Sequence, residues 1–439
     1  LSVDLDIALA PERLDEGAAE ERAAFGLFTI RTAHGSLTEG FDSFIGGYRP
    51  GPLVSGFHVA EWFAWNWWRL CWEPRSASAD WSSAHRMASI GEGYVWPDIT
   101  IYSDGVRTAL LSRASARQDI KPFRYTGAPP VVLPSRAFEA AVDAFIPQIL
   151  ARLRDAKLGE TNLDRVWRDI LAERLDPEVA KRRRLEALLG RDPDSVEDHA
   201  IDGLVADARQ LGEAAVAEVA AYTAQAAAGT VVTAADLVSL AKGQGYDASP
   251  RDAIRLVSGF PLPRGEDVPA WQVGSAAARA VREQEGLGTE PLADSRLAAM
   301  AGTEQDVLSG TKRGALNLSF ALDKNAGASR IVLRSKWETG RRFELARLIG
   351  DRLITAGDAL HPATRAYTYR QKAQRTFAAE LLSPFEAVDA MMEGDYSWER
   401  QQEVAEHFRV SEMTINSLLK NHGRLERDGS DQDVEMAAA

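Results

Sequence analysis

The chain has 439 residues, too many for one ordinary domain, and its 45% hydrophobic content supports sizeable cores rather than wholesale disorder. A formal charge of −13 excludes an extended basic footprint for nucleic acid and leaves only local patches to consider. The single cysteine, Cys71, excludes intrachain disulfides and cysteine-based zinc clusters, and its setting among aromatics (LCWEP) reads as a small buried side chain.

The N-terminal LSVDLDIALAPERLDEG is acidic and lacks the charged-then-apolar order of a signal segment. No stretch approaches the roughly 20 uninterrupted apolar residues of a membrane span. The expectation is a soluble, cytoplasmic protein. Residues 1–130 read as a Trp-rich mixed α/β domain. GLFTIRT (26–32) has strand composition, GGYRPGP (46–52) is turn chemistry, and FHVAEWFAWNWWRLCWEP reads as a helix ending near Pro74. WPDITIY and RTALLSRAS then form two strands around the Ser103-Asp104-Gly105 turn.

Seven of the eleven tryptophans fall between Trp62 and Trp96. Dense aromatic packing accounts for most of them. Aromatic side chains also anchor ligands and partners disproportionately, so Trp62, Trp65, Trp72 and Trp96 are candidate binding residues, with Arg69, Glu73, Arg75 and His85 as polar groups beside an opening. Trp62, Trp65 and Trp72 share one face of a continuous helix.

Residues 131–258 turn helical, with apolar positions at three and four spacing, and the run KRRRLEALLG (181–190) reads as a solvated helix face. GFPLPRGEDVP (259–269) is a linker. A C-terminal domain over 270–425 follows. WQVGSAAARAVREQEGLG and ADSRLAAMAG are helices, and LNLSFAL and SRIVLRSK form a β-hairpin. Two helices come next, at about 341–355 and 368–382, and the pair WERQQEVAEHF and SEMTINSLLKNHG closes the domain. Residues 426–439 read as an acidic disordered tail. The whole is expected to be α+β.

The order hairpin, RRFELARLIGDRL (341–353), QKAQRTFAAELLSPF (371–385) and VAEHFRVSEMTINSLLKNHG (404–423) resembles the ImmA/IrrE-type metallopeptidase domain. The match covers roughly the last 150 residues of the chain, and Phe377-Ala378-Ala379-Glu380-Leu381-Leu382 with Pro384 is its most specific piece. The resemblance implies a zincin-like fold with an active-site helix, a further ligand on the next helix and a helix-turn-helix-like unit. In that family an Arg-Phe pair introduces H-E-x-G-H. Registering Arg342-Phe343 and Gly350 on the motif puts Arg347, Leu348 and Asp351 where the family has His, Glu and His. Two neutral imidazoles bind zinc and the glutamate handles the proton of the bound water; an arginine cannot ligate and a leucine cannot act as a base. At the offsets before Phe377 where the family places a carboxylate stand Ala373 and Gln371.

The motif is therefore degenerate, with no catalytic residue, no metal and no cofactor expected. Arg347 and Asp351, four apart, are expected to pair where zinc would sit. His361 precedes a proline in a loop and can meet Asp351 or Asp358. In the helix-turn-helix-like segment, 397–425, four acids (Glu399, Glu403, Glu406, Glu412) balance four bases (Arg400, Arg409, Lys420, Arg424), so it reads as a packing element and not as a reader of bases. The resemblance implies a catalytically inactive homologue acting as a binding, sensing or regulatory subunit in a bacterial stress, mobile-element, toxin–antitoxin or defence setting. A protein partner is expected, and nucleic acid and membrane are not. Oligomeric state stays open. Two alternatives remain: an active metallopeptidase with a rebuilt metal site, and a DNA-binding transcriptional regulator.

Overall fold

The computed structural model describes residues 4–76, 80–116, 121–225, 231–257, 261–265, 267–312, 314–324, 327–355 and 357–426. They separate into two compact units, one running to Ile201 and the other starting at Asp202. Helices and antiparallel strands occur in both, so the architecture is α+β. The division falls inside the stretch 131–258 that reads as helical.

In the first unit, β1 (Asp6–Pro11), β2 (Phe25–Thr32), β3 (Gly35–Ser36) and β6 (Leu53–Ser55) form one antiparallel sheet around β2. A second joins β4 (Gly40–Asp42) to β5 (Gly47–Arg49) and β9 (Phe123–Tyr125), and a third has the order β10 (Val131–Pro134), β8 (Arg107–Ser112), β7 (Ile99–Ser103). The β7–β8 hairpin turns at Asp104-Gly105 as its turn chemistry predicts. The segment 46–52 is not all turn, because Gly47–Arg49 pairs with β4.

The helices are α1 (Ala19–Ala23), α2 (Gly56–Trp65), α3 (Trp67–Trp72), α4 (Trp81–His85), α5 (Ser135–Asp155), α6 (Asn162–Leu175) and α7 (Pro177–Leu188). Phe63 meets Phe138 and Phe145 edge-on at 6.1 and 6.2 Å, and Trp67 meets Trp167 at 5.4 Å, so α2, α3, α5 and α6 share one aromatic core. The expected single helix over 57–74 is two. Asn66 leaves helical geometry at φ −101°, ψ 10°, and its side-chain amide donates to the Trp62 carbonyl beside the last backbone bond of the first helix. The basic run is only partly solvated. Arg183 turns inward to Glu173, Glu186 and Asp194 because the neighbouring chain supplies three carboxylates.

In the second unit a four-stranded antiparallel sheet has the order β11 (Tyr246–Ala248), β13 (Ala328–Val332), β12 (Ser319–Lys324), β14 (Leu360–Ala363). The β12–β13 hairpin is the one expected; β11 and β14 are edge strands too short to read from sequence. The tail of α8 (Asp198–Leu211) leads into α9 (Glu213–Thr223) and α10 (Ala234–Gln244). Then come α11 (Ala270–Gln284), α12 (Asp294–Met300), α13 (Asp306–Ser309), α14 (Glu338–Ile354), α15 (Tyr369–Leu382), α16 (Phe385–Met392), α17 (Trp398–Phe408) and α18 (Glu412–Asn421).

α15 is the hub. A Cβ on Gly274 of α11 would lie 2.4 Å from the Ala373 carbonyl, and one on Gly350 of α14 would lie 2.5 Å from the Phe377 ring. Both neighbours approach α15 as closely as only glycine allows. The α17–α18 turn runs through Arg409 at φ 55°, and the Ser411 hydroxyl caps α18 by accepting from the Thr414 N–H. Among the described residues no helix is long and apolar enough to cross a membrane. Residues 259, 260 and 266 of the linker lie outside the described residues, as does the tail from 427.

Candidate functional site

Arg347, Leu348 and Asp351 lie on α14, which packs against α15 and β14. Leu348 joins the hydrophobic core. Arg347, 7% exposed, sends one terminal nitrogen, Nη2, to three oxygens: the Gln371 side-chain carbonyl (2.5 Å), the Thr364 backbone carbonyl (2.8 Å) and the Gln374 side-chain carbonyl (3.3 Å). Its Nε is buried without a hydrogen-bond partner. Burial, and then the nearby Arg375, push the guanidinium down to about 9, so it stays charged at neutral pH.

The expected Arg347–Asp351 pair does not form. The fully buried Asp351 carboxylate instead accepts two bonds from Arg370 (2.7 and 2.6 Å), one from His361 Nδ1 (2.9 Å) and one from the Gln374 amide nitrogen (2.6 Å). A planar fork and an imidazole from the packed neighbours satisfy it better than a side chain one turn away on its own helix. Burial alone would raise the Asp351 carboxyl, but Arg370 and His361 outweigh it and hold it below its ordinary range. Likewise burial would lower His361, yet Asp323 and Asp351 together hold it above 6.5. Arg370 extends the chain of charges to Asp358 at 2.7 Å. Gln374 is the joint: its oxygen accepts from Arg347 and its nitrogen donates to Asp351 and to the Pro362 carbonyl.

Positions 347, 351 and 371, registered from the motif, are thus brought together, while Ala373 packs in the core. Sequence reasoning named neither Arg370 nor Gln374 as part of the site. Their signal was the spacing: 370, 371 and 374 fall on one side of α15. Among the described residues no group of three His, Cys, Asp or Glu side chains converges as a metal would need.

Comparisons with family models, with curated proteins and with solved structures return no match. The site therefore has to be read from its own chemistry.

The first unit holds the other candidate residues. Trp62 and Trp96 are buried, Trp72 is half-buried beneath Arg184, and Trp65 is 60% exposed. The break at Asn66 puts Trp72 on a different helix from Trp62 and Trp65, so the three do not lie on one continuous helix. Arg69, Glu73 and His85 sit inside the unit. Glu73 accepts from Arg69 Nε at 2.6 Å and lies 2.9 Å from His85 Nε2, and His85 Nδ1 lies 2.7 Å from the Ile101 carbonyl. Trp81 stacks on His85 at 4.5 Å, and Arg69 reaches on to Asp80 and Asp192. Arg75 is half-buried.

Proposed function

We propose that the second unit is a non-catalytic relative of the ImmA/IrrE-type peptidases, serving as a binding, sensing or regulatory subunit with a protein partner in a bacterial stress, mobile-element or defence setting. The observation that carries the reading is the Arg347–Gln371 contact. The residues standing at the family's histidine and carboxylate positions meet at 2.5 Å as guanidinium and amide. An arginine cannot coordinate zinc, and its fixed charge repels a cation from that point. The close contact of Gly350, which with Arg342-Phe343 registers the motif, with Phe377, from which the offsets on α15 are counted, supports the alignment of the helices.

The runner-up reading, a transcriptional regulator, is opposed by the state of the helix-turn-helix-like cations. Arg409 is ion-paired with Asp294 and Glu338, Arg424 with Asp389, and Arg400 with Glu403. Three of its four bases are already neutralised within the chain, which leaves little charge to exchange for phosphate contacts.

Elemental analysis of the purified full chain tests the proposal. No stoichiometric zinc is expected, a chelator should leave the melting temperature unchanged, and the triple change Arg347→His, Leu348→Glu, Asp351→His should not confer peptidase activity. One zinc per chain in the unaltered protein would sink the non-catalytic reading.

A further inference from the structure

Buried cations in this chain are as a rule paid for by carboxylates. Arg69 has Glu73, Arg183 has Glu186, Arg342 has Asp294, Arg352 has Asp323 and Arg370 has Asp351. Arg282 and Arg341 lack one, but each spreads its donors over three backbone carbonyls. Arg347 follows neither pattern. All of its hydrogen bonds leave from Nη2, so of the five N–H donors of a guanidinium those on Nε and Nη1 have no partner among the described residues.

A second cation stands beside it. Arg375, one helical turn beyond Gln371 on α15, is half-buried and makes a single hydrogen bond, from Nη2 to the Ala366 carbonyl at 2.8 Å. Arg347 and Arg375 therefore reach the same short segment, Thr364 and Ala366. Neither is ion-paired among the described residues. Of the nearby carboxylates, Glu344 is held by Arg334 and two backbone N–H groups and Asp351 by Arg370 and His361, while Glu218 accepts from the Thr368 hydroxyl and attracts Arg375 without pairing with it. Two like charges held together with no ion pair of their own repel, and burial magnifies the repulsion. A fold bears this where an anion from outside completes the arrangement, since charge-assisted bonds to a guanidinium are short and strong.

We propose that Arg347 and Arg375 form a receptor for a single oxyanion, a carboxylate or phosphate group, bound between α14 and α15 at the segment 364–366. The proposal deepens the non-catalytic reading of the same site by naming the chemical class it binds, and it rests on that reading. The anion enters from the Arg375 side, the more exposed of the two, and takes up the unspent donors of both guanidinia. The anionic group belongs to the ligand and the positive charge to the protein, the reverse of a metal centre.

The test is calorimetric titration of the full chain with sodium phosphate and, separately, with sodium succinate, at an ionic strength held constant with sodium chloride. One saturable site per chain is expected for at least one of the two, and which anion binds tells a phosphate source from a carboxylate source. Arg375→Gln removes one hydrogen bond from a half-buried side chain and should leave the fold intact while weakening binding by at least about tenfold; Arg347→Gln should weaken it similarly. The receptor is refuted if neither anion binds beyond the chloride control, or if both variants bind as the unaltered chain does. A zinc-free, inactive protein that ignores both anions refutes the receptor alone, whereas stoichiometric zinc refutes the non-catalytic reading itself.

Discussion

In the first unit Arg69 faces Glu73 at 2.6 Å with Asp80 and Asp192 beyond, whereas in the second Arg347, nearly as removed from solvent, faces only neutral oxygens. The contrast shows two ways of keeping a guanidinium inside a protein. An ion pair offsets the desolvation of both partners but leaves each dependent on the other. A set of amide and carbonyl acceptors keeps the cation in place without balancing its charge, so the site stays electrostatically incomplete. The carboxylate of the second unit, Asp351, is committed to Arg370 and His361 and not to Arg347. Stability and incompleteness are therefore carried by different residues of one network.

The largest effects should come from the two central carboxylates. Glu73→Ala takes from Arg69 its buried carboxylate and leaves it only the more exposed Asp80 and Asp192, and Asp351→Ala takes from Arg370 its two-bond partner and leaves it Asp358. Each should cost about 3 kcal/mol, the lower end for breaking a buried pair, because a second carboxylate remains. Hydrogen exchange reads the loss locally, at the amides of α3 for the first change and of α14 and α15 for the second. A cost below about 1 kcal/mol for either would mean that its carboxylate is not the anchor of its network.

Removing the cations should separate the units. Arg69→Met leaves Glu73 buried with only His85 and should cost roughly 3 kcal/mol or more. Arg347→Met strips no carboxylate of its partner, and Gln371 keeps the Thr364 N–H as a donor at 2.8 Å. Relief from Arg375 offsets the lost bonds, so stability should move by no more than about 1 kcal/mol in either direction. Equal costs for the two substitutions, measured by denaturant unfolding of the full chain, would erase the distinction drawn between the units.

Much of this was readable from the sequence, and the unreadable part has a common cause. The β12–β13 hairpin, α14, α15 and the α17–α18 pair follow from periodicity and turn residues that act over a few positions. Strand β14 does not, because Pro362 argues against a strand; it is tolerated since β14 is an edge of the sheet, and its carbonyl serves Gln371 and Gln374. The i, i+4 spacing of Arg347 and Asp351 allowed a pair, but Arg370 and His361, brought in by the packing of α15 and β14, compete better for the carboxylate. In the first unit the sequence pointed to Arg69, Glu73 and His85 as a polar group, and gave no sign that all three are interior. Partner choice inside a core is a tertiary property that local spacing does not encode.

The smallest expected effect is a dependence of the second unit on pH. His361 faces Asp351 at 2.9 Å and Asp323 at 3.7 Å, with Arg352 on the far side of Asp323 and Arg370 on the far side of Asp351. Burial opposes its protonation, and the two carboxylates outweigh burial, so the folded chain holds this proton above 6.5. A group raised on folding contributes stability that is complete below its unfolded value and disappears as pH rises through its folded value. Asp351 behaves oppositely: being held below 3.8, it contributes above that value and fails only in stronger acid. Below 6.5 both contributions are therefore present, and as pH rises through the histidine's raised value its share falls away while the aspartate's remains. His361→Gln should flatten the decline on the alkaline side of 6.5 and leave the acid limb in place, as read by exchange at α14 and α15. Helix α3 belongs to the other unit, so the same substitution should leave exchange there unchanged. A decline of undiminished slope in the variant would show that the proton held against Asp351 is not the one that titrates there.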